Sequence, residues 1–307
     1  MDPLVSVVIP TYNNAAHVAD AVRSVLDQTY ANRQVIVVDD GSTDDTPAVL
    51  ASFRDRVRCV RKKNEGAAAA RNMGVHLAQG SYVAFLDADD LWAPTKLREQ
   101  VDVLLASPEF PVVHADSAVI DASGNVVKES AAPGRQTKNG KVFRQFFLCP
   151  ISLILTSTVL IRKDCFDKVG LFDPRYPVFQ DYDFFLRLAW EYPVYYLARP
   201  LASYRLSPGS LTRTDIQRNV QEQQQILEAF IAERSAYFAS HPRLLRRKWR
   251  RFHFDSAMAL FHHEAYAESH ARFARCLSNR PRAWPYWLLT CLPPPLLRVL
   301  RTARARP

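Results

Sequence analysis

The sequence predicts an α/β protein with a Rossmann-like, mostly parallel central sheet, helices on both faces, and a C-terminal helical region. Three observations predict this class. Short apolar runs alternate with segments of helical periodicity through the first 90 residues, as in βαβ units. Acidic clusters directly follow two of these runs, where the ligands of such sheets bind. From about Asp215 onward the periodicity is helical, and we predict no further strand.

The N-terminal elements follow from the spacing of apolar residues. Four strands are predicted, at Val5–Ile9, Val35–Val38, Val57–Val60 and Tyr82–Leu86. Helices are predicted between them: from Val18 to about Gln28, a short one carrying Val49 and Phe53 with Thr43 or Asp44 as its N-cap, and over Ala67–Leu77.

The middle of the chain is more mixed. A strand at Val112–Ala115 is followed by residues 118–120 and 126–127, which flank a turn and predict a hairpin. Polar residues with Pro and Gly over 128–141 predict a mobile loop. A strand over Leu153–Ile161 and a helix over Tyr182–Trp190 complete this part, and we place a domain boundary near residue 213.

Charge is unevenly distributed along the 307 residues. Residues 234–307 hold 15 Lys and Arg against 3 Asp and Glu, a local net charge of +12, whereas the remainder nets −3. The five cysteines are scattered without a CxxC pair, which argues against a disulfide framework and a thiolate zinc site and fits a reducing compartment. With no signal-peptide pattern and no run of 18 apolar residues, we expect a cytoplasmic protein without a spanning helix.

The stretch 82-YVAFLDADDLW-92 is the sharpest local feature. A buried strand runs directly into Asp87, Asp89 and Asp90, and such crowded carboxylates need water or a cation. A solvated acidic turn is one interpretation. The other is a divalent cation site, because Mg²⁺ or Mn²⁺ is bound by one or two carboxylates together with waters and substrate phosphates.

Two further stretches allow a structural and a functional interpretation. In 35-VIVVDDGSTDDT-46, Asp39 and Asp40 end a strand and could form a turn and cap, or accept hydrogen bonds from a base or ribose. In 62-KKNEGAAAARNMG-74, a turn leads into an alanine-rich helix that could simply pack closely. Arg71 in that helix is, however, suited to a nucleotide or phosphate.

These stretches, together with 5-VSVVIPTYNNA-15, resemble the nucleotide-sugar-dependent glycosyltransferases of family 2, which have the GT-A fold. The resemblance covers about residues 4–210, and four motifs in register make chance an unlikely source of it. It implies a catalytic domain over 1–213.

The resemblance implies a role for each matching position. Asp89 would ligate the Mg²⁺ or Mn²⁺ that bridges the donor diphosphate, and Asp87 would face the ribose or the metal shell. Asp90 would be a helper or a cap for the next helix. The other donor nucleotide contacts would be Pro10, Thr11, Tyr12, Asp39, Asp40 and Arg71.

The catalytic base of the family aligns with Asp181 in 180-QDYDFFLRLAW-190, and Asp183 and Arg187 align with supporting positions. Gln180 departs from the usual Glu. A helix N-cap is the alternative role for Asp181. In 203-SYRLSPGSLT-212, Arg205 aligns with a loop that would close over the diphosphate.

The implied reaction is inverting transfer of a sugar from a nucleoside-diphosphate sugar, most commonly a UDP-sugar, to an acceptor hydroxyl. The acceptor would be a glycan or a lipid-linked molecule, as in cell-surface polysaccharide, glycan or glycolipid synthesis. A nucleotidyltransferase on a related fold and a non-catalytic nucleotide-binding module remain alternatives. An NAD-dependent oxidoreductase is disfavoured because no G-x-G-x-x-G turn follows the first strand.

Residues 214–307 form the predicted basic helical region. Within it, 257–281 resembles one tetratricopeptide hairpin. The end, 283–307, combines Trp, Tyr and Leu with Arg and suits an anionic membrane surface on the inner face of the cell membrane, or packing on the catalytic domain. We expect no nucleic-acid partner, because no recognition motif is present.

Overall fold

The computed structural model describes residues 2–131, 139–149, 152–206, 215–277 and 283–292. Contacts divide the chain into two units, residues 1–146 with 151–210 and residues 147–150 with 211–307. The domain boundary at residue 213 and residues 132–138 of the mobile loop predicted over 128–141 lie outside the described residues, so both stay predictions.

The first unit is built on one nine-stranded sheet with the order β3-β2-β1-β4-β8-β6-β9-β5, and β7 pairs with β6. The strands are β1 (Val5–Thr11), β2 (Arg33–Asp39), β3 (Arg58–Arg61), β4 (Tyr82–Phe85), β5 (Leu91–Trp92), β6 (Val112–Ile120), β7 (Val126–Lys128), β8 (Val159–Arg162) and β9 (Val194–Arg205).

Pairing in this sheet is parallel in its N-terminal half and mixed beyond it. β1 pairs in parallel with β2 and β4, and β2 with β3. β8 runs antiparallel to β4 and β6, while β6 and β9 are again parallel. The register places Thr11 opposite Asp39, and Asp39 opposite Arg61, so the carboxyl ends of β1, β2 and β3 meet at one edge. The predicted Rossmann-like sheet is confirmed.

Helices cover both faces of the sheet, as predicted. In β1, Val7 and Ile9 belong to a buried cluster that includes residues of the first, second and fourth helices, whereas Val8 faces Gly74 of the third. A Cβ at Gly74 would lie 2.1 Å from Val8 Cγ1, so only glycine permits this approach. The helices are α1 (Val18–Leu26), α2 (Thr46–Ala51), α3 (Ala67–Leu77), α4 (Lys96–Ala106), α5 (Phe143–Leu148), α6 (Cys165–Val169) and α7 (Gln180–Glu191).

Several predicted elements are confirmed. α3 has the predicted bounds, α7 covers the predicted helix, and the hairpin is present as the antiparallel β6–β7 pair. Asp45, not Thr43 or Asp44, precedes the first residue of α2 and makes no side-chain cap. Asp44 instead accepts the N–H groups of Ala15 and Thr46, which ties the loop after β1 to the start of α2.

Two strand predictions differ from the structure. The strand predicted over Leu153–Ile161 is wrong in its first half, because Thr156–Thr158 forms a 3₁₀ turn before β8 begins. The twelve-residue β9 has no counterpart among the predictions. Pro200 interrupts its apolar pattern and lies opposite Asp116, where the register of the β6–β9 pair shifts. Proline is tolerated in a strand at such an irregularity. Because it interrupts the alternation of apolar and polar residues, that alternation does not predict β9.

The second unit is helical, as predicted for the C-terminal region. Its described helices are α8 (Ile216–Glu233), α9 (Ser235–Ser240), α10 (Pro242–His262), α11 (Tyr266–Ala274) and α12 (Trp284–Thr290). α10 and α11 form a helical hairpin whose core includes Phe261, Phe273 and Cys276. These residues lie within 257–281, the segment that resembles a tetratricopeptide hairpin. Among the described residues, no helix is both long and apolar enough to cross a membrane.

Candidate active site

The edge where β1 and β2 end contains buried polar atoms that make no hydrogen bond within the described residues. Asp39 is buried; its Oδ1 accepts the N–H of Ser42 at 2.9 Å. Its Oδ2 lies 3.3 Å from Arg61 Nε yet forms no hydrogen bond within the described residues, and the buried Thr11 Oγ1 forms none either. Tyr12 is 49% exposed beside them, and Pro10 is buried. Buried polar atoms without partners are rare, and a ligand is one of their explanations.

Asp40 differs from its neighbour because every contact it makes is internal. Its carboxylate is buried and accepts from Lys62 Nζ at 2.8 Å and from the N–H groups of Glu65 at 3.1 Å and Gly66 at 2.7 Å. These donors shape the turn that leads into α3, where Gly66 has φ 92°. The structure therefore places Asp40 as the anchor of the turn; its role as a nucleotide contact stays a prediction.

Arg71 and Asp87, predicted from separate motifs, meet in space. Arg71 is buried, and its Nη2 donates to Asp87 Oδ1 at 2.5 Å. The guanidinium lies over the Phe172 ring, 5.7 Å from its centroid, and its buried Nε has no hydrogen-bond partner within the described residues. Asn72 exchanges two hydrogen bonds with the backbone of Phe172, at 2.8 and 3.0 Å, which locks this arrangement.

The acidic turn after β4 is organised by Ser157. Its hydroxyl donates to Asp90 Oδ2 at 2.5 Å and accepts the N–H of Asp87 at 3.1 Å. Asp90 is buried and also accepts the N–H of Arg205 at 3.0 Å. Burial, together with the charges of Asp87 and Asp89, raises the pKa of Asp90 well above its ordinary value. Asp90 is therefore a buried support of the turn; its predicted helper role at the donor stays a prediction.

Asp89 lies between Asp87 and Asp90 in the sequence and is half-buried. Burial and the neighbouring Asp87 charge raise the pKa of its carboxyl. Within the described residues no cation pairs with it, and no group of three or more His, Cys, Asp or Glu converges as a complete metal site. Mg²⁺ and Mn²⁺ do not need such a set when substrate phosphates complete the coordination. An oxygen-only, incompletely paired carboxylate thus fits this class of ion.

Asp181 is the second residue of α7 and is partly exposed. The residue that precedes the helix is Phe179, so Asp181 is not the N-cap; its Oδ1 accepts the N–H of Tyr182 at 2.7 Å. Burial raises the pKa of Asp181 to about 6, against the lowering effect of the Arg71 charge. A carboxyl with such a pKa is deprotonated near neutral pH and remains basic enough to accept a proton.

Gln180, where the family pattern usually has Glu, is buried next to Asp181 in the sequence. Its Oε1 has no hydrogen-bond partner within the described residues. A glutamate here would place a second negative charge next to Asp181 in a buried position, which the amide avoids.

Asp183 and Arg187 form an ion pair one turn apart on α7. Arg187 Nη2 lies 2.6 Å from Asp183 Oδ2 and donates to the carbonyl of Leu171 at 2.8 Å, and Nη1 donates to the carbonyl of Val169. Both side chains face inward, so this pair fixes the chain around Gly170, φ 79°, against α7. The predicted supporting role fits this placement.

Arg205 ends β9 with its guanidinium directed at backbone carbonyls. It donates to Asp89 at 2.8 Å, to Asp121 at 3.1 Å and to Ala122 at 2.9 Å. The side chain is buried and holds the acidic turn from behind. The loop in which it was predicted to close over the diphosphate continues into residues 207–212, outside the described residues, so that role stays a prediction.

The structure brings Arg71, Asp87 and Asp181 close enough for each charge to influence the next. Sequence reasoning missed Ser157 and Lys62, whose hydroxyl and ammonium groups position Asp90 and Asp40. No signal in the sequence marks Ser157. Lys62 opens a recognised motif, but its partner lies 22 residues away and is visible only in the fold.

The model of glycosyl transferase family 2 matches residues 6–170, more than half of the chain. The chain belongs to this family. An uncharacterized glycosyltransferase of Rickettsia prowazekii is 30% identical over 230 residues, which cover 75% of this chain and 72% of that protein. A putative teichuronic acid biosynthesis glycosyltransferase of Bacillus subtilis, TuaG, is 45% identical over 107 residues, 34% of this chain and 42% of that protein.

Solved structures show the same fold for this family 2 chain. TarS residues 1–349 of S. aureus, in complex with UDP-GlcNAc, superposes with a TM-score of 0.58 at 17% identity and covers 93% of this chain and 90% of that one. The mannosyltransferase PcManGT of Pyrobaculum calidifontis, in complex with GDP-Man and Mn²⁺, gives a TM-score of 0.60 at 20% identity, covering 99% and 81%. The expected GT-A fold is confirmed.

Proposed function

We propose that this protein is an inverting glycosyltransferase that moves a sugar from a nucleoside-diphosphate sugar to an acceptor hydroxyl, with Asp181 as the catalytic base. The observation that carries the proposal is the set of buried polar atoms at the motif positions that make no hydrogen bond within the described residues. Thr11 Oγ1, Asp39 Oδ2 and Arg71 Nε belong to the segments that we expect, from the motif resemblance, to contact the donor. A nucleotide offers the base and ribose groups that would satisfy them.

Each of these residues would have a separate role in an inverting transfer. Asp39 would accept from the base, while Arg71 and the Asp87 it holds would face the ribose side. Asp181 would take the proton from the acceptor hydroxyl as that oxygen attacks the anomeric carbon, which gains oxocarbenium character. The carbon–oxygen bond to the acceptor forms as the bond to the nucleoside diphosphate breaks.

Asp89 is the residue we assign to Mg²⁺ or Mn²⁺, with Asp87 in the surrounding shell. When bound, such an ion stabilises the charge of the leaving diphosphate as a Lewis acid. Asp90, Ser157 and Arg205 would keep the turn in place, because their contacts fix the backbone on both sides of Asp89.

We propose a UDP-sugar as the donor and a step in cell-surface polysaccharide, glycan or glycolipid synthesis as the context. The TarS structure in complex with UDP-GlcNAc and the teichuronic acid assignment of TuaG support these choices. The complex of PcManGT with GDP-Man shows that the same fold also holds a guanine nucleotide, so the base must be tested. The cytoplasmic location stays a prediction.

A thermal-shift screen with UDP, GDP, dTDP and ADP, each with and without Mn²⁺, tests the proposal. One nucleotide should raise the unfolding temperature with Mn²⁺, because a ligand at 100 times its Kd stabilises by about 2.7 kcal/mol. Asp89→Asn should remove the metal-dependent part, while Asp55→Asn, at an exposed site of the same unit, should not. An unchanged unfolding temperature with every nucleotide would contradict the proposal and favour a different function for this site.

A further inference from the structure

A second charged concavity lies wholly within the second unit. It is a cleft of about 680 Å³ along α10, and we call it the arginine cleft. Its lining residues are Arg243, Leu245, Arg246, Arg247, Trp249, Arg250, His253 and Arg275.

The five arginines of the arginine cleft have no acidic partner within the described residues. Other arginines of the same unit do: Arg251 Nε lies 3.3 Å from Asp255, and Arg234 Nη1 lies 2.7 Å from Glu233. Residues 234–307 hold only 3 acidic residues in all, so few counter-charges are available. Like charges gathered around a concave surface raise the local concentration of anions, and a bound anion would relieve their repulsion.

The polar atoms inside the arginine cleft also point to a ligand. Arg250 Nε and His253 Nδ1 are buried and have no hydrogen-bond partner within the described residues. His253 stacks on Trp249, with ring centroids 5.7 Å apart, and burial lowers its pKa to about 4, so the ring is neutral. Arginine forks bind phosphate oxygens in pairs, and an aromatic surface beside them accommodates the less polar part of a ligand.

The same unit exposes apolar side chains on α12. Trp284 is 48% exposed and Leu288 is 56% exposed, and their spacing of four places them on one face of the helix. No residue of α12 is buried. Exposed tryptophan and leucine together with concentrated arginine are typical of segments that lie in the headgroup region of an anionic membrane.

We propose that the arginine cleft binds the phosphate groups of anionic lipid headgroups, with Trp284 and Leu288 entering the interface of the same membrane. The chemical class of the ligand is a phosphate diester bearing an apolar tail. The proposal does not rest on the proposed transferase activity, because vesicle binding requires neither donor nor acceptor.

Vesicle sedimentation of the full chain tests this directly. We expect binding to vesicles of mixed phosphatidylglycerol and phosphatidylcholine, and none to phosphatidylcholine alone. Arg246→Gln with Arg247→Gln should weaken binding about 30-fold, the change that corresponds to about 1 kcal/mol for each arginine. The matched control, Arg54→Gln with Arg218→Gln, removes the same charge from exposed sites outside the arginine cleft and should bind like the wild type.

A second variant and two competing ligands distinguish the alternatives. Trp284→Ala with Leu288→Ala should weaken vesicle binding about tenfold or more without changing net charge. Equal effects of the two arginine pairs, or equal binding to both kinds of vesicle, would overturn the proposal. A thermal shift with inorganic pyrophosphate in the absence of vesicle binding would assign the cleft to a soluble ligand and overturn it as well. Binding of duplex DNA with the same affinity as the vesicles, together with loss of that binding in the Arg246→Gln, Arg247→Gln variant, would also overturn the proposal.

Discussion

The two units differ in how their charged side chains are paired. In the first unit, the buried acids Asp40, Asp90 and Asp183 each have donors within hydrogen-bond distance. Asp39 Oδ2, by contrast, makes no hydrogen bond within the described residues. In the second unit, five arginines line one cleft and none pairs with an acid in the part of the chain that the structure describes.

This difference separates charges that stabilise the fold from charges for which we propose a ligand. A buried charge with a complete set of partners stabilises its own loop, and its removal leaves the partners unsatisfied. An exposed charge among like charges contributes little to stability and raises the local concentration of counter-ions. Consecutive residues such as Asp39 and Asp40 can therefore have different roles, which only their contacts reveal.

The largest effect on stability is expected for Asp40→Ala. Lys62 and the amides of Glu65 and Gly66 would lose their acceptor in a buried position, so we expect a loss of about 3–5 kcal/mol in the free energy of unfolding. Urea denaturation measures it, and Asp55→Ala, exposed in the same unit, is the control. A loss below about 0.5 kcal/mol, the usual range of surface changes, would show that Asp40 is not the anchor.

Ser157→Ala should have the next largest effect. The hydroxyl bridges Asp90 and the backbone of Asp87, so its removal should cost about 1–3 kcal/mol and displace the acidic turn. We therefore expect a lower affinity for Mn²⁺ in the presence of nucleotide as well as a lower denaturation midpoint. Ser52→Ala, an exposed serine of the same unit, provides the comparison. An unchanged Mn²⁺ affinity would contradict the claim that Ser157 positions the acidic turn.

The same measurement on the second unit should give almost nothing. Arg246→Gln with Arg247→Gln removes no internal partner, so the free energy of unfolding should change by less than about 0.5 kcal/mol per site. A loss of several kcal/mol would show that these arginines hold the unit together, and the contrast between the two units would fail.

The smallest effect we predict is a shift in pH dependence. Asp181 acts as a base only when deprotonated, so kcat/KM should fall as the pH drops through about 6. Arg71 lowers the pKa of Asp181, and Arg71→Gln should therefore move this acid limb to higher pH. Rate profiles between pH 5 and 8 for both proteins provide the measurement, and an acid limb at the same pH in each would contradict the placement of the two residues.

Much of the N-terminal fold follows from the sequence because it rests on local patterns. The runs that form β1 and β2 are rich in β-branched apolar residues, and β4 is a short aromatic and apolar run. α3 begins directly after the Gly66 turn, so its bounds could be read from the chain. The later strands depend on distant partners. β9 contains Pro200, and residues 156–158 form a 3₁₀ turn that places the Ser157 hydroxyl against Asp90.

The candidate site could be predicted as a set of positions but not as a set of roles. Motif order locates Asp39, Asp40, Asp87 and Asp181. The sequence does not show that Asp40 is enclosed by donors while Asp39 keeps an oxygen without a hydrogen bond within the described residues. That distinction arises from contacts more than twenty residues apart, such as Asp40 with Lys62. The arginine cleft was likewise visible only as a basic region, because its shape depends on how α10 packs.

The most direct test of the central claim separates rate from affinity in Asp181→Asn. Nucleoside diphosphate release from the donor, measured under single-turnover conditions, should slow by about 10²–10⁴-fold, because the acceptor proton has no base. The dissociation constant of the donor should stay within about threefold, since a group acting only in the transition state contributes little to ground-state binding. Asp167→Asn, an exposed acid on α6, should change neither quantity. Normal turnover by Asp181→Asn, or a parallel loss of rate and donor affinity, would contradict the assignment of Asp181 as the base.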